Sequence, residues 1–187
     1  MIKSITTPFT KEDALSLKAG DQILLSGIIY TGRDAAHKRM VQLIQEGKPL
    51  PFDPQDQVIY YVGPTPAKPE AVFGSGGPTT SGRMDAYAPT MLSLGLRGMI
   101  GKGYRNQDVK DAIQKHHGIY FGAIGGAGAY IGKCVQSCEV IAFDDLGTEA
   151  IHKLVVKDFP LTVIIDCDGH DLYEIGREKY LKEADDE

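Results

Sequence analysis

The sequence predicts an α/β fold with a mixed sheet, on three observations. Short apolar runs rich in Val, Ile, Tyr and Phe alternate with segments of helical period through the middle of the chain. Toward the C-terminus, β-type runs follow one another without an intervening helix, so part of the sheet is antiparallel. The 187 residues carry no internal repeat and no linker strong enough to divide them, so residues 1–187 form a single domain.

Taken in order, Thr7 to Ala19 reads as the end of a strand and a short helix, with Thr10 and Asp13 at capping-box spacing. Asp21 to Tyr30 is an apolar run that reads as a buried strand. Arg33 to Gln45 follows as a helix, because Ala36, Met40 and Ile44 recur at helical spacing and Thr31 and Asp34 again have capping-box spacing. Gly47 to Gln57 is a Pro-rich connection. Val58 to Gly63, aromatic and β-branched, is a strand, and Pro64 to Glu70, with its prolines, is a loop. Ala71 to Phe73 reads as a short strand before a glycine-rich loop. Asp85 to Leu96, Gly98 to Gly101 and Asn106 to His116 read as helix, strand and helix, the last closed by His116-His117 because cations are favoured at a helix C-terminus. Ile119 to Ile124 is a strand ending in Gly125-Gly126. Ala127 to Gln136 reads as a helix, Val140 to Phe143 as a strand and Thr148 to His152 as a turn or short helix. Leu154 to Lys157 and Leu161 to Asp166 read as strands, the second continuing through an Asp168-Gly169 turn into a hairpin arm around Leu172. Lys179 to Glu187 is a charged stretch expected to fray.

A hydrophobic content of 42% and a charged content of 24% are those of a globular protein. The net charge of −5 argues against a nucleic-acid partner, which requires a basic face. No apolar stretch is long enough to span a bilayer, and Met1 to Thr7 has no signal-peptide character, so a cytoplasmic location without membrane contact is expected. Cys134, Cys138 and Cys167 are too few, and odd in number, for a disulfide framework. Cys134 and Cys138 could share a helix face, but their segment is rich in Ala, Gly and Ile, where a thiol is usually a small buried hydrophobe. No histidine or further cysteine stands at zinc-like spacing, so the chain is expected to hold no metal.

Three stretches break local rules in one direction. In the loop from Gly74 to Asp85, glycines and a proline surround Thr79, Thr80 and Arg83, just before a helix. Loop-to-helix junctions bind anions through orphan N–H groups, yet an arginine there opposes the helix dipole. Arg33 stands between a strand and a helix in the same way, followed by Asp34 and His37. Lys102 lies between Gly101 and Gly103 at the end of an apolar run. Glycine-rich clusters are most often plain loops. Three cations at strand ends nevertheless suit a small dicarboxylate, with arginine supplying a bidentate grip.

Tyr30 to Arg39, Gly77 to Asp85 and Gly101 to Gly103, in that order, resemble the motifs of the β-type half of the iron–sulfur hydro-lyases, the class I fumarases and L-tartrate dehydratases. Glu149 to His152 followed by Val156 to Pro160 is a weaker match, and the likeness runs over nearly the whole chain. It implies a swivelling β/β/α domain, a mixed central sheet flanked by helices. Because the chain starts at Met1 with no room for a cluster-binding half, the resemblance implies a β subunit that needs an α-type hydro-lyase subunit, in an αβ or α2β2 assembly. That α partner, and not this chain, would bind the 4Fe–4S cluster. The implied reaction is reversible hydration of fumarate to L-malate. Arg33, Arg83 and Lys102 match positions that hold the substrate carboxylates and stabilise the aci-carboxylate, and Thr79 matches the position that removes the proton. Thr80 is read as a further substrate contact, and Asp34, His37 and Asp85 as supporting groups. A lone threonine hydroxyl is a very weak base, so Asp85 or an acid of the partner is expected to assist it. Gly32, Ala36 and Gly82 stand where tartrate-type sequences carry cysteines or a bulkier residue, which leans toward fumarase. The alternatives are an L-tartrate dehydratase β subunit, producing oxaloacetate, and a non-catalytic dicarboxylate-binding module.

Overall fold

The computed structural model describes residues 2–67, 69–123 and 128–185. Seven strands form one sheet: β1 (Ile2–Thr6), β2 (Gln22–Thr31), β3 (Val58–Tyr60), β4 (Gly98–Gly101), β5 (Ile119–Gly122), β6 (Val135–Ala142) and β7 (Ile151–Ile165), in the order β1-β2-β3-β4-β5-β7-β6. The first five run parallel, and β7 is antiparallel to β2, β5 and β6. Because β7 pairs with both β5 and β2, the strands β2-β3-β4-β5-β7 close into a ring. Helices α1 (Lys11–Leu15), α2 (Asp34–Gln45), α3 (Ala88–Ser93) and α4 (Gln107–His116) connect the parallel strands, and α5 (Gly128–Cys134) and α6 (Leu172–Asp185) follow β5 and β7. Among the described residues no helix is long and apolar enough to cross a membrane.

Strand alternation produces two cores. Val58, Tyr60, Ile100, Ile119, Phe121 and Val163 face one cluster with Phe9 and Leu17, whereas Ile59, Tyr61, Met99, Tyr120 and Ile164 face the other. The second cluster takes in Met40 of α2, Met91 and Leu92 of α3, and Val109 and Ile113 of α4. The central strands are therefore apolar on both sides, which is why they read as unbroken apolar runs. Each fully buried large side chain contributes about 1.5–3 kcal/mol relative to exposure.

The Thr10–Asp13 capping box forms, with Thr10 Oγ1 accepting from the Asp13 N–H and Asp13 Oδ2 accepting from the Thr10 N–H. Several elements differ from expectation. The first strand is Ile2–Thr6, ahead of the segment read as a strand end, and it pairs along β2. Ala71 to Phe73 is not a strand. The helix expected over Ala127 to Gln136 ends at Cys134, because Val135 onward pairs with β7; Cys134 and Cys138 therefore lie on different elements. Ile124, Gly125-Gly126 and Ala127 lie outside the described residues. Thr148 to His152 is divided between a 3₁₀ turn at Asp144–Glu149 and the start of β7.

The two strands expected across Leu154 to Asp166 are one. Asp158 adopts φ 51°, the β2–β7 register shifts between Leu25 and Gly27, and the Asp158 N–H donates to Ser26 Oγ at 2.9 Å. The Asp-Phe-Pro interruption is thus absorbed as an irregularity instead of ending the strand. The hairpin arm at Leu172 is instead helix α6, and only an Ile165–Asp171 bridge remains of the hairpin. Asp171 Oδ1 accepts the Tyr173 N–H at 2.9 Å, and the following Glu, Arg, Lys and Leu are good helix formers. Lys179 to Asp185 is accordingly helical, with Asp186 and Glu187 outside the described residues.

Candidate functional site

The carboxyl ends of adjacent parallel strands are where both open and closed α/β sheets bind ligands. Here they deliver all three cationic stretches. β2 ends at Thr31, directly before Gly32 and Arg33. Beyond β3, the Tyr61 carbonyl accepts the Thr79 N–H at 2.7 Å, which brings the glycine-rich loop back over the strand end. β4 ends at Gly101, directly before Lys102. Thr80 and Lys102 form a parallel bridge, with the Ser81 N–H donating to the Lys102 carbonyl at 2.9 Å and the Lys102 N–H donating to Ser81 Oγ at 3.1 Å. Tyr120 Oη hydrogen-bonds Ser81 Oγ at 2.9 Å and the Gly103 carbonyl at 2.9 Å. A Cβ at Gly101 would collide with the Ser81 side chain, so only glycine lets the loop settle on β4.

The arginines are joined through carboxylates. Arg83 Nε donates to Asp34 Oδ1 at 2.7 Å, Asp34 Oδ2 lies 3.9 Å from Arg33 Nε, and Arg33 Nη2 lies 3.2 Å from Glu149 Oε1. Glu149 Oε2 also accepts the Ala35 N–H at 3.1 Å. Arg33 Nε and Asp34 Oδ2 are buried without a hydrogen-bond partner within the chain. The Arg83 side chain is 53% exposed, Lys102 and Thr80 are exposed and Thr79 is partly buried, so the group opens outward. Two carboxylates against three cations leave one net positive charge facing solvent.

His37 stands behind this group, fully buried on α2. Its Nδ1 is 2.8 Å from the Arg33 carbonyl, which fixes Nδ1 as the protonated nitrogen and leaves Nε2 as a buried acceptor without a partner. Its ring packs against Gly32 and edge-on to Tyr61. Burial, with a further contribution from the Arg105 cation, lowers its pKa to about 4, against the opposing effects of the Arg33 carbonyl and Asp34. Between pH 6.5 and 4 the unfolded imidazole takes up a proton that the folded one refuses. Stability is therefore complete above pH 6.5 and falls, by up to about 3 kcal/mol, as the pH drops to 4. Denaturant midpoints measured from pH 7 to pH 4 should show this slope, and His37→Phe should flatten it.

Three expectations for the site are corrected. Asp85 is not free to assist Thr79: Oδ1 takes Arg105 Nε at 2.6 Å and Oδ2 takes the Asn106 N–H at 2.8 Å. Nor does Arg83 sit in the first turn of a long helix. It lies in a 3₁₀ turn, Ser81–Met84, and α3 starts only at Ala88. The Thr31–Asp34 capping box does not form either. Arg33 is the N-cap of α2 with no side-chain cap, because Thr31 ends β2 and its hydroxyl accepts the His152 N–H at 3.0 Å. Sequence reasoning places Glu149 and Ser81 within matching motifs without giving either a role, and it misses Arg105. The one local signal was an arginine at an N-cap, which leaves first-turn donors for a distant acid to satisfy.

The described residues do not fit an iron–sulfur cluster. Cys134 and Cys167 are buried, Cys138 half-buried, and burial raises the pKa of all three thiols. No group of three metal ligands among the described residues includes a cysteine. Asp166, Asp168 and His170 do lie together, but Asp166 is filled by the N–H groups of Ala19, Asp168 and His170, and Lys18 pairs with Asp168 at 2.6 Å. That cluster closes a loop.

A family model described as the fumarase C-terminus matches residues 2–176. The chain is similar to the anaerobic class I fumarate hydratase of Escherichia coli, 42% identical over 155 residues, covering 82% of this chain and 28% of that protein. It is also similar to fumarate hydratase 2 of Leishmania major, 38% identical over 156 residues with the same coverage. A Methanocaldococcus jannaschii protein provisionally named L(+)-tartrate dehydratase subunit beta is 34% identical over 180 residues, 92% of each chain. The chain thus spans little more than a quarter of the length of these fumarate hydratases.

Proposed function

This chain belongs to the fumarase C-terminus family, and from that premise we propose that it is the β-type half of a class I fumarate hydratase, a swivelling β/β/α unit supplying the carboxylate-binding side of the active site. The observation that carries this reading is the convergence of Arg33, Arg83 and Lys102 with Thr79 and Thr80 at the carboxyl ends of β2, β3 and β4. Arg83 commits Nε to Asp34, so its two terminal nitrogens remain for one substrate carboxylate. Arg33 and Lys102 hold the other. Removing a proton from the carbon beside a carboxylate places a second negative charge on that group, and preorganised cations lower the barrier by meeting it. Thr79 is the proton acceptor in this reading. With Asp85 locked to Arg105, its helper comes from the partner surface that completes the site. We assign the 4Fe–4S cluster to that α-type partner, in an αβ or α2β2 assembly, and place the enzyme in the cytoplasm.

An L-tartrate dehydratase β subunit is the second reading, favoured by the end-to-end match to the M. jannaschii chain. The higher identity to fumarate hydratases favours the first. The test is anaerobic co-expression with the α-type subunit, followed by assay on fumarate, L-malate and L-tartrate. Fumarate hydration is the expected result. Turnover of L-tartrate alone would establish the second reading, and a stable, cluster-loaded complex inert to all three acids would remove both.

A further inference from the structure

We propose that Glu149 is a positioning residue for the Arg33 carboxylate grip, acting by capping helix α2 from the far end of the chain; this rests on the clamp reading above. An N-cap side chain normally accepts a first-turn N–H, and arginine has no acceptor to offer. It also brings positive charge to the positive end of the helix dipole. The site needs a cation where the helix needs a cap. Glu149 resolves the conflict with one carboxylate: Oε2 takes the Ala35 N–H at 3.1 Å, and Oε1 stands 3.2 Å from Arg33 Nη2.

The carboxylate is itself held firmly. Glu149 closes the 3₁₀ turn before β7, and its neighbour Ala150 is tied to β2 through Thr31, whose hydroxyl lies 3.4 Å from the Ala150 carbonyl and accepts the His152 N–H at 3.0 Å. On the other side, a Cβ at Gly63 would come within 2.9 Å of Arg33 Nη1, so the guanidinium rests against bare backbone. The Arg33 and Glu149 side chains are each only 22% exposed, which strengthens a charge-assisted contact over a surface pair. Arg33 thus lies between the Glu149 carboxylate and the Gly63 backbone, and its Nε is left without a hydrogen-bond partner in the chain.

The test uses the assembled α–β complex with fumarate as the probe. Glu149→Gln keeps an acceptor for the Ala35 N–H but withdraws the charge from Arg33. It should raise KM by about tenfold or more with kcat changed far less, while the thermal midpoint stays close to that of the parent. Glu149→Ala should raise KM similarly and also speed hydrogen exchange at the Ala35 amide, read by NMR on the full chain. Adding Glu149→Gln to Arg33→Ala should raise KM no further than Arg33→Ala alone. If Arg33→Ala raises KM and Glu149→Gln leaves it unchanged, Glu149 is a helix cap and nothing more. If Arg33→Ala itself leaves KM unchanged, the clamp reading fails and takes this inference with it.

Discussion

On the proposed fumarate hydratase reading, replacing Arg83 with alanine should lower fumarate hydration by the assembled complex by about two to three orders of magnitude, the range for removing one preorganised donor to a developing negative charge. The fold should scarcely notice. The Arg83 side chain is 53% exposed and its ion partner is Asp34, a pair of the kind that contributes at most about 1 kcal/mol. The turn around it is held by backbone, including the Ser81 N–H bond to the Lys102 carbonyl. Arg83→Lys should recover only part of the loss, since an ammonium cannot grip a carboxylate with two parallel bonds. Steady-state kinetics beside a thermal melt separate the two effects, and an unchanged kcat/KM would take Arg83 out of the site.

The opposite balance is expected at Arg105. Arg105→Met should cost about 3–5 kcal/mol of stability, the range for stranding one member of a buried ion pair. The Arg105 side chain is fully buried, bound to Asp85 at 2.6 Å and stacked over Tyr61 and Tyr120 at 5.4 and 4.9 Å. Asp85→Ala should cost a similar amount, and the double variant clearly less than the two singles together, because no charge is then left without its partner. Denaturant midpoints would measure this. Additive losses would mean that the two residues act independently.

The parallel strands β3, β4 and β5 are apolar on both faces and short, so their runs were visible, as were the helix of α2 and the capping box at Thr10. Arg33, Arg83 and Lys102 are legible as candidates because each stands out against its local surroundings. Asp85 looked as available as Asp34, since nothing near it in sequence marks Arg105, twenty residues on, as its partner. Glu149 was invisible as a helix cap because the helix it caps begins at Asp34. Asp158 and Pro160 make β7 read as two strands, but Asp158 falls at the register shift of β2 and Pro160 stays paired opposite Leu24. The C-terminal helix was hidden by a turn signal, Asp168-Gly169, that is real but leads into α6.

The closed ring of strands also bears on when the domain can form. β2 is made early, yet its partner on one side is β7, with Gln22 opposite Thr162. A growing chain on the ribosome can assemble the parallel neighbours of β2 well before β7 has emerged. Until then, a ten-residue strand keeps one edge of hydrogen-bonding groups open. Pairing across so long a stretch of chain makes ring closure a late and slow event. During synthesis, that open edge is where a nascent chain would meet a neighbouring copy.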